Sequence, residues 1–495
     1  MIHDNVLYNS SATDFPEPRE GSTRFAFVLG MAIIGASILI GRTYAFFLSF
    51  LALSLLMTLI WRKNPRPWIF LVSVSAATPL AISKQQFACN VVFAIWFAAV
   101  NTRYLFKLPR WSIVLIAMAV FGVFTSSINW MSSNIVGSIL RQGAYASNFL
   151  LAPFVLLPAV YVRMKESRDH AANLQGLLFC LILPSTMILI SAKLFGTVWN
   201  DWEASQHSQS LAEGFLMYKL GQVVVNFLRT EVGFILAALI CASAAVTVSQ
   251  VKTSYRLLAG ACLASNAFLL LSTASFGSGL ASLCGLAVIF FIQFRTVSVT
   301  KVIVSVVVIF GMLMATYVFA PSSTKKYLEQ RYTHRVTNAD TDRLTLWARA
   351  VDQLFQHPEG VGMTMSVGDR KKTFIHNDYL TYAVSYGFIG GLAYTALVLG
   401  LLISFLLRRK RKDEDPSALA VYLAGLGVIV ALAVNGITDH SNENRWYFNA
   451  IWSMIWYCYF CSRAAQKKAV QEGMTSETVI AGTAASHDKS VPAYT

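Results

Sequence analysis

The sequence has 495 residues, of which 55% are hydrophobic and only 13% charged. Soluble domains carry about 25% charged residues, so this composition excludes an ordinary soluble protein. Long apolar runs recur from Phe25 to Cys461, and about 20 apolar residues span the hydrocarbon core of a bilayer as a helix. The sequence therefore predicts an all-α, polytopic integral membrane protein. The net charge of +15 could indicate a nucleic-acid partner, but its distribution along the chain argues against one.

Taken in chain order, the apolar segments predict about 14 spans, and about 12 if some are re-entrant or of half length. They lie at 25–41, 43–61, 68–83, 87–106, 111–128, 148–162, 174–195, 228–248, 256–273, 277–293, 301–320, 379–407, 417–437 and 447–462. The residues before the first span are polar and lack the short apolar core and cleavage site of a signal peptide. We expect the first span to act as an uncleaved signal anchor.

The basic residues alternate between the connections, which predicts the orientation of the chain. With the N-terminus in the cytoplasm, the inner connections carry the basic clusters Arg62 to Arg66, Arg103 to Arg110, Arg163 to Arg168, Lys252 to Arg256, Arg295 to Lys301 and Arg408 to Lys412. The positive charge is therefore topological, with anionic membrane lipids as its partners and no nucleic acid.

This topology divides the chain into five parts. We predict a cytoplasmic polar tail at 1–23, transmembrane helices at 24–320, a large periplasmic loop at 321–378, further transmembrane helices at 379–462 and a disordered cytoplasmic tail at 463–495. The loop has a helical pattern from Asp342 to Phe355, followed by turn signals at His357-Pro358 and Gly360-Val-Gly362. Two shorter connections, 129–147 and 196–227, also lie on the outer side.

All seven cysteines lie in apolar runs, which makes a disulfide framework improbable. Cys458 and Cys461 form a CxxC pattern inside the last span. A redox motif needs an accessible thiolate, so we interpret this pair as a small-residue helix face.

Four ionisable residues gather on the outer side of a topology that depends only on apolar runs and basic connections: Arg229, Arg343, His376 and Asp439. Each also has an ordinary explanation. Arg229 could extend to lipid headgroups, Arg343 could pair with a neighbouring aspartate, His376 could cap its helix, and Asp439 could be a simple loop acid. Ionisable groups at membrane depth are costly and tend to face a cavity, so their common location favours a functional site.

Two arginines and a histidine suit an anionic substrate and a proton transfer. Guanidinium groups bind phosphate through paired hydrogen bonds and keep their charge. A histidine with a pKa near ~6.5 can accept a proton at neutral pH. Because ATP is absent outside a bacterial inner membrane, group transfer there needs an already activated donor such as a lipid diphosphate.

A block of about 50 residues resembles the superfamily of O-antigen ligases and O-antigen or exopolysaccharide polymerases, which are bacterial membrane glycosyltransferases. It consists of "TDRLTLWARAVDQLFQHPEGVGM" followed by "IHNDYLTYAVSYGFIGGLAYTALVLGLL". The superfamily pattern is matched at Arg343, Trp347, His357, Pro358, Gly360, Gly362, His376, Asn377, Tyr379, Leu380, Gly387, Gly390 and Gly391. We expect the last three glycines to let a neighbouring helix approach closely.

The resemblance implies a GT-C-like helical fold and a metal-independent, inverting transfer of glycan from undecaprenyl diphosphate to an acceptor hydroxyl on the periplasmic side. Arg343 and His376 take the positions of the essential arginine and histidine. Arg229 is the most plausible second arginine, which would neutralise the diphosphate, while Asn377 and Asp439 are candidate substrate-binding residues. No cofactor is implied.

The chain departs from the superfamily pattern at "STASFGSGLASL", Ser272 to Leu283, where the family often has an arginine after the serine. Either that arginine is dispensable, or its role falls elsewhere, on Arg229 or Arg141. Asp340-Thr341-Asp342 also has the form of a metal-binding DxD, but ion pairing with Arg343 explains these carboxylates as well.

Two rival classes and two acceptors stay open. A lipid-linked oligosaccharide flippase or polysaccharide exporter should show charge near mid-membrane and internal repeats, and a non-catalytic assembly partner would not need the histidine and arginines together. Within the enzyme class, a polymerase extends a lipid-linked glycan and is slightly preferred, whereas a ligase attaches glycan to the lipid A-core. Either enzyme implies a flippase, and a polymerase also a chain-length regulator, as partners.

Overall fold

The computed structural model describes residues 108–131, 153–155, 157–167, 169–194, 215–220, 223–273, 275–294, 311, 318, 341–362, 375, 377–408, 414–438 and 450–464. The first four predicted spans and nearly all of 301–320 lie outside these residues. Both predicted tails lie outside them as well, apart from the two residues at 463–464.

The described part of the chain is built mainly from helices. They are α1 (Arg110–Met131), α2 (Leu157–Tyr161) with a 3-10 turn (Val162–Glu166), α3 (His170–Leu194), α4 (Arg229–Val248), α5 (Thr253–Thr273), α6 (Phe276–Phe294), α7 (Thr341–Gln356), α8 (Asp378–Leu406), α9 (Pro416–Thr438) and α10 (450–464). Five of them, α1, α5, α6, α8 and α9, are long and apolar enough to cross a membrane. The prediction of an all-α, multi-pass membrane protein is confirmed.

The helix starts follow from their capping residues. The carboxylate of Asp415 accepts a hydrogen bond from the backbone N–H of Ser417 at 2.7 Å, and Pro416 takes the first position of α9. Asp169 accepts from Ala172 N–H at 2.9 Å before α3. Such caps satisfy the unpaired N–H groups of the first helical turn.

A β-hairpin was not among our predicted elements. Strands β1 (Phe215–Leu220) and β2 (Val223–Leu228) pair antiparallel, with Phe215 opposite Leu228 and Leu220 opposite Val223. Only Gly221 and Gln222 separate them, and a two-residue Gly-X connection is typical of a type II′ hairpin. The hairpin leads directly into α4.

Helices α4, α6 and α9 pack together through small residues. A side-chain carbon on Gly285 would lie 2.8 Å from the carbonyl oxygen of Gly427, and one on Gly427 would lie 3.1 Å from Cys241 Cβ. Without a strong hydrophobic driving force inside lipid, close backbone approach of this kind stabilises helix pairs. The three helices therefore form the tightly packed centre of the described bundle.

Close contacts define two ends of the bundle. The Thr438 end holds the start of α4, the turn between α5 and α6, the start of α8 and the end of α9, because Gly233 lies against Ser275 and Gly436 against Asp378. The Arg408 end holds the turn between α4 and α5 and the turn between α8 and α9.

Candidate functional site at the Thr438 end

Helix α7 is the described helix of the predicted outer loop, and it is strongly amphipathic. The sequence predicts it over Asp342 to Phe355, and the structure has it at Thr341–Gln356. Its inner face places Ala350 and Leu354 in a small buried cluster with Ile375 and Val384, and Trp347 packs against the cluster. The helix is thus fastened to the first part of α8.

The glycine-rich turn after α7 docks onto a break in α8. The N–H of Val361 donates to the carbonyl of Val384 and that of Gly362 to the carbonyl of Ser385, both at 2.9 Å, while Phe388 N–H donates to Pro358 O at 3.0 Å. These bonds supply partners to backbone groups that a broken helix would leave unsatisfied. The turn therefore satisfies the hydrogen-bonding groups of the α8 backbone at the break.

Gly360 and Gly387 make this docking possible. Their φ angles are +92° and +73°, a region that only glycine enters readily. A side-chain carbon on Gly387 would also lie 2.5 Å from Pro358 O. Gly387 thus allows the loop turn, and not a neighbouring helix, to approach. Gly390 instead contacts α1, since a side-chain carbon on Gly122 of α1 would lie 2.9 Å from Gly390 Cα. Our expectation of a neighbouring helix holds for Gly390, and Gly387 has a different role.

Arg343 connects α7 to the end of α9. Its Nη1 donates to the carbonyl oxygen of Thr438 at 2.8 Å, and the residue is half-buried. Arginine commonly satisfies the last carbonyls of a helix in this way. Asp439 follows Thr438 directly in sequence but lies outside the described residues, as do Asp340 and Arg141.

His376 also lies outside the described residues, while both of its neighbours are described. The carbonyl of Ile375 accepts from Trp347 Nε1 at 2.9 Å. Asn377 is the N-cap of α8, and its Oδ1 accepts from Leu380 N–H at 3.0 Å. The chain is thereby held on each side of His376. Asn377, predicted to bind substrate or hold His376, has a capping role in the structure.

Sequence reasoning missed Asp378, the first residue of α8. It is fully buried, and its Oδ2 lies 3.6 Å from the position that a side-chain carbon on Gly436 would occupy. An acidic residue opening an apolar run is itself unusual, and this signal was present in the sequence.

A second missed feature is a buried polar cluster between α6 and α9. Ser275 and Ser278 join their hydroxyls at 3.0 Å, and Ser278 donates to Asn435 Oδ1 at 3.1 Å. Gly233, one turn after Arg229, lies against both serines. The cluster includes the stretch where the chain departs from the superfamily pattern, and the start of α4 lies beside it.

The arrangement makes the Thr438 end suitable for an anion. Helices α4, α6 and α8 all begin there, and helix N-termini carry partial positive charge. Arg229 begins α4 and Arg343 lies at the end of α9. The structure thus brings Arg343, Asn377 and the start of α4 to one end of the bundle.

The fold and this site define a multi-pass helical membrane protein with a polar site, which contains Arg343 and the buried Asp378, at one end of its bundle. Residues 258–395 match the family model described as O-antigen ligase. This match confirms the predicted resemblance to the O-antigen ligase and polymerase superfamily. The matched region includes Arg343 and His376 but not Arg229 or Asp439. Among curated proteins, none matches the chain.

Proposed function

We propose that this protein is a membrane glycosyltransferase that transfers a glycan from undecaprenyl diphosphate to an acceptor hydroxyl. The observation that carries the proposal is the pair of bonds made by α7. Arg343 is bonded to the end of α9, and Trp347 to the residue before His376. One rigid helix thereby links the two positions that the superfamily uses for chemistry.

In the proposed reaction the acceptor oxygen attacks the anomeric carbon of the donor sugar. The bond from that carbon to the diphosphate oxygen breaks, and the anomeric configuration inverts. His376 orients the acceptor hydroxyl and takes its proton. Arg343 and Arg229 neutralise the charge that develops on the leaving diphosphate. Asp439 is proposed to bind the acceptor.

The position of α4 supports Arg229 as the second arginine. Gly233 packs against Ser275 and Ser278, in the stretch where relatives often carry the arginine that this chain lacks. Arg229 begins the same helix one turn earlier. An arginine at the start of α4 would therefore lie near the region where relatives often carry an arginine on the helix that corresponds to α6. With two guanidinium groups available, we propose transfer without a metal ion.

The distribution of basic residues supports an orientation with the Thr438 end in the periplasm. The Arg408 end carries basic residues in its short connections and in the adjoining helix ends, namely Arg110, Arg163, Lys165, Lys252, Arg256, Arg408 and Arg463. Short loops rich in lysine and arginine stay in the cytoplasm. We therefore propose a location in the bacterial inner membrane, with the site facing outward.

We propose O-antigen or exopolysaccharide biosynthesis as the process, with polymerisation preferred over ligation. The donor would be an undecaprenyl diphosphate-linked oligosaccharide, and the acceptor a growing lipid-linked glycan. A flippase would deliver the donor, and a chain-length regulator would act on the product.

The test is complementation of a deletion strain with His376→Ala, Arg343→Ala or wild type at matched expression. Arg349→Ala is the control, because Arg349 is exposed on the same helix, six residues after Arg343. We expect both site variants to lose at least about 100-fold in transfer and to accumulate lipid-linked oligosaccharide. The control should keep wild-type transfer and accumulate no lipid-linked oligosaccharide. Surface glycans on a gel and extracted lipid-linked oligosaccharide are the readouts.

The product pattern decides between the acceptors. Loss of long chains with a single repeat still attached to the core indicates a polymerase, whereas loss of all attachment indicates a ligase. Wild-type glycans in both site variants would overturn the proposal and favour a transporter or an assembly partner. Activity that survives thorough chelation supports a metal-independent reaction.

A further inference from the structure

Helix α7 has a second apolar face beside the one that packs on α8. Trp347, Ala350 and Leu354 point to the bundle. A separate stripe is exposed, with Leu344 at 63%, Val351 at 37% and Phe355 at 70%; Ala348 completes it. The successive spacings of four, three and four residues place this stripe along one side of the helix.

The stripe is bounded on its far side by polar residues that are also exposed. Thr345, Arg349, Asp352 and Gln356 occupy the neighbouring side of α7. An amphipathic helix with a broad apolar arc and a charged face lies in the plane of a membrane surface, with its apolar side among the lipids. The sequence of α7 thus has the pattern of an interfacial helix.

The exposed stripe continues onto the outer surface of α8. The ring of Phe355 meets that of Phe388 edge to face, with centroids 5.8 Å apart. Phe388, Ile389 and Leu392 are themselves 45%, 39% and 59% exposed on a helix long and apolar enough to cross a membrane. Two exposed surfaces that join through a ring contact face the same medium.

The level of Phe388 agrees with the edge of the hydrocarbon layer. The part of α8 after its break, from Phe388 to Leu406, has about 19 residues and a length of about 28 Å. This length by itself matches the hydrocarbon thickness of about 30 Å. Phe388 therefore lies near the boundary of that layer, and the glycine-rich turn bonded at Phe388 sets the C-terminal end of α7 at the same height.

We propose that α7 is an interfacial helix whose stripe of Leu344, Ala348, Val351 and Phe355 is immersed in the acyl chains of the bilayer leaflet at the Thr438 end. Bulk membrane lipid is the proposed partner of this surface. Arg343, which bonds the end of α9 from the inner face of the same helix, would then lie at headgroup height. The inference concerns the position of α7 and holds whichever reaction the protein carries out.

The test is photocrosslinking of the full-length protein in lipid nanodiscs. A benzophenone amino acid is introduced at Phe355, Val351 or Leu344, with Asp352 and Arg349 on the polar side of α7 as matched controls. Mass spectrometry of the irradiated protein identifies the adducts. We expect phospholipid adducts to be several-fold more abundant at each stripe position than at either control.

Each other outcome overturns the proposal. Equally low yields of lipid adducts on both sides of α7 would place the helix in water, above the membrane. Equally high yields on both sides would mean that the stripe is not the face that contacts lipid. Crosslinks from the stripe to another part of this chain or to a second protein would mean that protein covers the face. Variants at Val351 and Leu344 keep the test decisive if the Phe355 variant fails to accumulate, and size-exclusion profiles identify any variant that is not folded.

Discussion

Arg343 and Arg408 lie at opposite ends of the bundle and are held in different ways. Arg408 is buried, pairs with the carboxylate of Glu414 and lies over the ring of Tyr422 with its guanidinium carbon 4.2 Å from the centroid. Burial lowers the pKa of the Arg408 guanidinium from its ordinary value, and the Glu414 charge acts against that shift. Arg343 is half-buried and bonds a helix-end carbonyl.

The two arginines also differ in how far along the sequence their partners lie. Arg408 and Glu414 are six residues apart, across one turn between consecutive helices, whereas Arg343 and Thr438 are 95 residues apart. The pair of Arg408 and Glu414 is therefore a local contact, and we expect it to serve stability. The Thr438 end exists only when several distant segments have come together, which is typical of a functional site.

The largest expected effect on stability is at the Arg408 end. Arg408→Ala leaves Glu414 buried without its partner, and breaking a buried pair on one side costs about 3–5 kcal/mol. We expect a strong loss of folded protein after heating in detergent, with transfer per folded molecule unchanged. Arg343→Ala should show the reverse, with lost transfer and a smaller loss of stability.

The double variant Arg408→Met with Glu414→Gln is the control, since it removes both charges and should recover most of the stability. If Arg408→Ala instead abolished transfer in a protein of normal stability, the contrast between the two ends would be wrong.

A smaller effect is expected from Gly387→Ala. The new side chain would have to adopt a positive φ and would meet the Pro358 carbonyl. The strained backbone alone costs about 1–3 kcal/mol, and displacement of the turn should also reduce transfer. Thermal unfolding in detergent and glycan transfer measure the two effects.

Gly279→Ala is the matched control, because no atom lies within 4 Å of the added carbon in α6. It should be neutral or stabilising by up to about 1 kcal/mol. Equal behaviour of the two variants would mean that the turn at Gly360 to Gly362 does not depend on the break in α8.

The smallest expected effect is at Asn377. Loss of an N-cap costs about 1 kcal/mol, so Asn377→Ala should lower stability slightly, while Asn377→Ser keeps a capping oxygen and should not. Transfer by the serine variant then separates two roles. Retained transfer means that Asn377 acts as the cap alone, whereas lost transfer at normal stability means that it also binds substrate.

The helices were predictable because their signals are local. Apolar runs bounded by Asp-Pro and Asn-Asp predict α9 and α8 to within a few residues of their observed bounds, and the amphipathic pattern of α7 was equally clear. The β1–β2 hairpin also had a local signal in Gly221-Gln222, but it lies in a stretch that we interpreted only as a connection. All four predicted spans before Arg110 lie outside the described residues and stay predictions.

The candidate site was predictable only in part. The motif located Arg343 and Asn377, because its residues occur in a recognisable order. The bond from Arg343 to Thr438 and the contact of Asp378 with Gly436 join positions far apart in sequence, and no local pattern reports such pairs.

The sequence by itself determined the membrane environment, the helices of the described part and the residues of the superfamily motif, since hydropathy, capping and residue order act over short distances. Only the tertiary structure decided which helix ends meet, why Gly360 and Gly387 must both be glycine, and that the exposed stripe of α7 continues onto the surface of α8. Each of these depends on backbones approaching from distant parts of the chain, and such contacts form only when the helices pack.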